Sequence, residues 1–190
     1  HEHKLFPKGK GRKVIAADFV HSFFRIMDQE VASPGAWLFA HLDKTKNLGV
    51  SALNDSTLQL HLKKPFPPFL GLLTMQYCSV IPHEIVEHYG RDFRNNPIGT
   101  GPFKFKLWKE GVKLILIKNN NYFEKDEQGT SLPYLDAVSI SFLNEKQVVF
   151  LEFVKGDLDF ISGLDDIPKD EVLSQTGQLN TKYQNRFKLD

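Results

Sequence analysis

The sequence predicts a mixed α/β fold, and three observations carry that prediction. Apolar residues recur at helical spacing over residues 17–28. They alternate at strand spacing over residues 58–62, 103–107 and 136–143. A helix-rich first half then gives way to a strand-rich second half near residues 97–101, where a lobe boundary is expected.

The elements follow in order. ADFVHSFFRIMD puts Phe19, Phe23 and Ile26 on one helix face with Val20 and Phe24 beside them, and Asp18 falls in the first turn, where a carboxylate suits the positive helix end. In SPGAWLFAHL, Ser33 is the expected N-cap and Pro34 the first helical residue of a short helix. Leu58, Leu60 and Leu62 alternate with Gln59, His61 and Lys63; Asn54-Asp55 supplies a turn and Pro65 a stop, which makes a hairpin. PPFLGLLTM reads as a short apolar helix, and PHEIVEHYG as another, entered through Pro82 and left at Gly90. Farther on, Phe103, Phe105 and Leu107 alternate with Lys104, Lys106 and Trp108, Glu110-Gly111 reverses the chain, and VKLILIK returns. DAVSISFL is a further strand. EKQVVFLEFVKG is a helix that buries Val149, Phe150, Phe153 and Val154 and ends at Gly156. DLDFI is expected as a short strand and IPKDEVLSQ as a capping helix.

Composition narrows the function classes. Lys plus Arg number 24 and Asp plus Glu 23, so the formal charge of +1 gives no electrostatic case for nucleic acid. The basic opening KLFPKGKGRK reads as a solvated surface loop. A single cysteine, Cys78, excludes an intrachain disulfide and reads as a buried thiol. No apolar run approaches the roughly 18 residues of a membrane span. Sixteen Phe imply a core filled by phenyl rings.

Candidate chemistry is sparse. NPIGTGPF has the look of a phosphate cradle, but Pro102 removes an amide and a strand, not a helix, follows. A glycine turn at which two lobes meet closely is the better reading. HEIVEH is one residue off the zinc-protease pattern: Glu87 stands four after His83, and His88 falls about 140° round the helix from it. A metal-dependent hydrolase on His83 and His88, or acid–base work by Asp157 and Asp159, stays an alternative. Asp165 and Asp166 lack calcium-loop spacing, HEH at residues 1–3 has chelating composition only, and Ser22, Ser33 and Ser162 lack a nucleophile elbow. No cofactor or metal is expected.

Several segments, in order, resemble the extracellular solute-binding protein family 5, the oligopeptide-, dipeptide- and nickel-binding components of ABC importers. They are VIAADFVHSFFRI, GVSALNDSTLQLHLKKPFPPFLGLL, VIPHEIVEHYG, NPIGTGPFKFKLWKEGVKLILIKNNNYF with LPYLDAVSISFL, and FVKGDLDFI. The resemblance implies a fragment of a two-lobed, type II periplasmic-binding-protein-like fold, cut from inside a longer bacterial protein. Residues 1–98 would belong to an accessory lobe and residues 99–190 to the ligand-facing lobe. EKDEQGTSLPYLDAV is longer than the family's link and is expected to be a surface insertion. The implied function is capture of a peptide or small solute in a cleft and delivery to a membrane permease, without enzymatic chemistry. The implied setting is the periplasm or the outer face of the cytoplasmic membrane, with or without a lipid anchor, as a monomer. A peptide sensor or chaperone on the same scaffold is the alternative. Carried over from the family, the ligand-contacting segment is Ile161-Ser162-Gly163-Leu164, with Trp37 as a further cleft residue and no catalytic residue.

Overall fold

The computed structural model describes residues 1–162 and 172–184. The chain divides into two compact units, one of His1–Trp108 with Ile115–Ser139 and one of Lys109–Leu114 with Ile140–Asp190. The boundary expected at residues 97–101 falls inside the first unit.

In the first unit, α1 (Ala16–Met27) begins where Ile15 is extended and its amide donates to the Asp18 carboxylate at 2.9 Å. The Ala16 amide is taken by the Asp55 carbonyl at 2.8 Å, which ties the helix start to the hairpin turn. The predicted apolar face is the buried one: Phe23 lies at the centre of a core with Leu38, Phe39, Leu42, Val50, Phe69 and Cys78, and Phe19, Val20, Phe24 and Ile26 pack around it. The Phe23 and Phe39 rings sit 4.8 Å apart, tilted at 41°, a close aromatic contact that adds to area burial.

SPGAWLFAHL makes a 3-10 helix over Ala36–His41, not an α-helix. The Ser33 hydroxyl accepts the Gly35 amide at 3.2 Å, so the helix starts later than expected, with Gly35 at its N-cap. Tight 3-10 winding brings Leu38 and Phe39 into the core.

The hairpin of β1 (Val50–Asn54) and β2 (Thr57–Leu60) is antiparallel and pairs Val50 with Leu60 and Asn54 with Thr57. A bridge between Leu42 and Leu62 prolongs it. Leu58, Leu60 and Leu62 pack on the core, as their alternation predicts. Gly49, just before β1, has φ +79°, and a Cβ there would lie 2.7 Å from that of Leu42. Only glycine allows that approach.

The two predicted short helices form as α2 (Phe69–Leu72) and α3 (His83–Tyr89). Ile85 and Val86 are the buried residues of α3. A three-stranded sheet of order β3-β4-β5 follows, from β3 (Phe103–Lys109), β4 (Lys113–Lys118) and β5 (Ala137–Ser141). The expected alternation fails at the end of β3. Leu107 is exposed, whereas Trp108 is half-buried with the Arg94 guanidinium 5.2 Å from its ring; a cation–π contact holds the indole where periodicity assigns a solvent position. Residues 124–135 form an exposed turn closed by a Lys125–Ser131 bridge and a Tyr134 hydroxyl donating to Asp126 at 2.6 Å.

In the second unit, α4 (Lys146–Lys155) buries Phe150 against Val172 and Tyr183, while Val149, Phe153 and Val154 are only half-buried. Gly156, at φ 93°, ends α4 as predicted. The expected strand DLDFI does not form. The Gly156 and Asp157 amides are spent on the Phe153 and Glu152 carbonyls, and Phe160 stands 80% exposed. Of the expected helix IPKDEVLSQ, residues 167–171 lie outside the described residues. From Leu173 the chain instead makes a turn bridged to Leu179, with the Asn180 amide donating to the Val172 carbonyl.

Two outcomes follow. Phe23→Ala should lower the unfolding free energy by about 3–5 kcal/mol in urea titration; a loss under about 1 kcal/mol would deny Phe23 its central place. His21 sits between α1 and α3, and burial, then the neighbouring His83, hold its imidazole below the ordinary value; Arg25 adds to this, while Glu87 and Asp18 oppose it. The unfolded chain therefore takes up that proton first, near pH 6.5. Stability should be full above that pH and fall as pH drops from it through the lower folded value. His21→Leu should flatten this slope between pH 7 and 5, measured by thermal unfolding, and an unchanged slope would dismiss the assignment.

Candidate functional site

The residues expected to contact a ligand fall in different units. Ile161 packs on the Phe150–Val172–Tyr183 cluster, and Ser162 beside it is exposed. Gly163 and Leu164 lie outside the described residues. Trp37, in the first unit, is 54% exposed although its neighbours Leu38 and Phe39 are buried. A bulky indole left in water on a rigid turn is a surface that a ligand or another segment can cover.

The glycine turn is anchored by polar side chains. The Gly99 amide donates to Nδ1 of His1 at 3.3 Å, and Nε2 of the same ring lies 3.1 Å from the Gly101 carbonyl. The ring therefore carries its proton on Nε2. Asn119, 4% exposed, donates its side-chain amide to the Gly101 carbonyl at 3.0 Å and its backbone amide to the Pro102 carbonyl at 2.8 Å. The neighbouring cavity, lined by Arg12, Asp18, Ile81 and Thr100 among others, measures about 30 Å³, room for water but not for a phosphate. Gly99 and Gly101 do not have left-handed φ, and a Cβ on either would meet no heavy atom within 4 Å. Among the described residues nothing demands glycine there.

The strongest electrostatic feature was not legible locally. Arg12 belongs to the run read as a solvated loop, yet its guanidinium reaches both carboxylates of two separate helices. It donates to Asp18 at 2.8 and 2.6 Å and to Glu84 at 2.5 and 2.8 Å. Phe6, 5% exposed, lies beneath it at 5.8 Å. Asp18 stands in the first turn of α1 and Glu84 in the first turn of α3, where each also faces a positive helix end. Burial pushes the Asp18 carboxyl up, but the Arg12 hydrogen bonds, the Ile15 amide and the Arg12 charge outweigh it and hold it below the ordinary value. The Arg12 hydrogen bond likewise lowers Glu84, and the two carboxylates raise Arg12. The signal available in sequence was the acid in each first turn; the shared cation, 72 residues from Glu84 along the chain, was not.

This arrangement also bears on the hydrolase alternative. Glu84, next to His83, is engaged by Arg12. His83 Nδ1 lies 3.4 Å from Glu84 and 4.0 Å from Asp18, while His88 packs edge-on against Tyr89. Ser22 donates to the Asp18 carbonyl at 2.7 Å and accepts the Ile81 amide at 2.9 Å, a structural use of its hydroxyl. Asp157 and Asp159 are exposed.

Comparison with known proteins agrees with this picture. Residues 10–187 match the model of the bacterial extracellular solute-binding proteins, family 5 Middle. The chain is 31% identical over 142 residues to the probable D,D-dipeptide-binding periplasmic protein of Escherichia coli (strain K12), covering 71% of this chain and 26% of that protein. It is 31% identical over 147 residues to the periplasmic oligopeptide-binding protein of Salmonella typhimurium, covering 68% and 27%. It thus spans about a quarter of the length of these relatives. Among solved structures, a periplasmic binding protein of Helicobacter pylori in complex with the peptide STSA superposes with TM-score 0.66 at 28% identity, over 83% of this chain and 31% of that one. The Escherichia coli murein tripeptide binding protein superposes with TM-score 0.70 at 24% identity over 83% and 34%, which speaks to fold. The fold is accordingly a portion of the type II periplasmic-binding-protein architecture.

Arg12→Ala leaves Asp18, whose side chain is 4% exposed, without its cation. Stability at pH 7 should fall by about 3 kcal/mol in urea titration. The deficit should be present above the ordinary carboxyl values, near pH 4, and shrink as pH falls through the lower folded ones. A deficit independent of pH would show that packing, not charge, is what Arg12 contributes.

Proposed function

The chain belongs to the bacterial extracellular solute-binding proteins, family 5, and from that premise we propose that it forms part of the peptide-capturing component of an ABC importer. The match of the family model over residues 10–187 carries the reading. The names of the relatives, which specify dipeptide and oligopeptide binding in the periplasm, support it. In this reading the protein works outside the cytoplasmic membrane, as a monomer, and hands a peptide to a membrane permease.

The physical basis is gripping without chemistry. A cleft that closes on an extended peptide excludes water and strengthens hydrogen bonds to the peptide backbone. Such bonds ignore side-chain identity, and pocket shape and fixed charges set preference. Residues 1–98 act as accessory-lobe structure and residues 99–190 as ligand-facing structure. The 161–164 segment is the contact: Ile161 is fixed by packing on the second unit's core and Ser162 is exposed, while Gly163 and Leu164, outside the described residues, complete the segment. The exposed Trp37 supplies an aromatic surface. Engagement of Glu84 by Arg12, and of Ser22 by backbone groups, supports binding over hydrolysis.

Native mass spectrometry of the full-length protein, purified without denaturation, tests this. Co-purified species should have the masses of short peptides, and Ser162→Trp should lower their occupancy about tenfold in competition with wild type. A protein that stays empty after incubation with a mixed peptide pool, or that carries only non-peptide solutes, would sink the peptide assignment.

A further inference from the structure

Beside α1 lies a groove of about 490 Å³ lined entirely by residues of the first unit. Spaces of a few hundred Å³ are those in which proteins hold small organic ligands. Phe24 and Met27 of α1, Leu48 before β1 and Val86 of α3 give it apolar walls. Arg25 and Lys44 also line it, and neither makes a side-chain hydrogen bond or ion pair among the described residues. The one acid present, Asp28, already accepts the Glu30 amide at 2.9 Å. Among the lining residues two cations face one partly engaged carboxylate; Glu87 and Asp18, whose charges also reach His21, do not line the groove.

Two further observations single it out. His21 lines the groove, and its Nε2 is buried with no hydrogen-bond partner, a state that costs free energy. The loop that carries Leu48 is also strained: Asn47, Leu48 and Gly49 all have left-handed φ, at 47°, 54° and 79°. Leucine rarely adopts that region. It is held there by the Gly49 amide on the Lys46 carbonyl at 2.7 Å and the Asn47 side chain on the Val50 carbonyl at 3.0 Å. The result is a leucine 43% exposed at an apolar wall, and strain of this kind concentrates at ligand clamps.

We propose that this groove binds a small organic carboxylate with an apolar body, its head held by Arg25 and Lys44 and its body lying on Phe24, Met27 and Leu48. A guanidinium fork matches the planar geometry of a carboxylate, and a lysine adds a mobile second charge. The apolar walls reject inorganic anions, which have nothing to bury there. None of these residues belongs to the 161–164 segment or is Trp37, so the inference stands or falls apart from the peptide reading.

Titration of the ¹⁵N-labelled chain with sodium decanoate at pH 7, followed by amide shifts, tests it, with 1-decanol as the uncharged control. Decanoate should give saturable shifts centred on residues 21–28, 44–48 and Val86, and decanol should bind at least about tenfold more weakly. Combined Arg25→Glu and Lys44→Glu should weaken decanoate about tenfold or more and leave decanol unchanged. Leu48→Gly, which fits the left-handed backbone, should weaken both probes. Equal affinity for the two probes on the unaltered chain would overturn the proposal whether or not the variants fold. So would shifts centred elsewhere, or no saturation by about 5 mM.

Discussion

One guanidinium sets the frame of the first unit. Arg12 is hydrogen-bonded to Asp18 and to Glu84, the acids in the first turns of α1 and α3. Each carboxylate already faces the positive end of its own helix, and Asp18 also accepts the Ile15 amide. Bringing two such acids together would cost repulsion without a cation between them. With Arg12 in place, the same charges fix the entry of both helices and draw residues 6–12 across them. Phe6 beneath the guanidinium seals the arrangement from below.

Packing then builds on that frame. The first unit has few long elements, and isolated helices as short as α2 and α3 do not persist in water. They hold because Phe69 of α2 joins the core of Phe23, Leu38, Phe39, Leu42 and Val50, and because Ile85 and Val86 of α3 are buried. The second unit repeats the device on a smaller scale with Phe150, Val172 and Tyr183. Phenyl rings suit such cores, since one ring buries much area with little rotamer freedom to lose.

The polar groups with chemical potential are mostly committed to structure. Asp18 and Glu84 serve Arg12, the Ser22 hydroxyl serves two backbone groups, and Asn119 with the His1 ring satisfies the carbonyls and amide of the glycine turn. Among the described residues, Trp37 and Ser162 stay exposed, and the cationic side chains of Arg25 and Lys44 have no hydrogen-bonded or ion-paired partner.

Local periodicity was enough to locate α1, the β1–β2 hairpin, α3, the strands and α4; in α1 and β2 the side chains that repeat at 3.6 or 2 residues are also those that meet the core. It was also enough to end α4 at Gly156, where a left-handed residue is required. Periodicity could not tell a 3-10 turn from an α-helix at Ala36–His41, since over six residues repeats of 3.0 and 3.6 nearly coincide. It placed a strand at DLDFI that never forms, because a strand needs a neighbour and the helix cap takes its first amides. It read Arg12 as solvent-facing and Trp108 as the exposed side of β3. The sequence by itself determined α1, the hairpin, α3, the strands and α4, and the family to which the chain belongs. The tertiary structure alone decided which charges meet, because Arg12, Asp18 and Glu84 are partners through space, and no local pattern records a contact made across 72 residues.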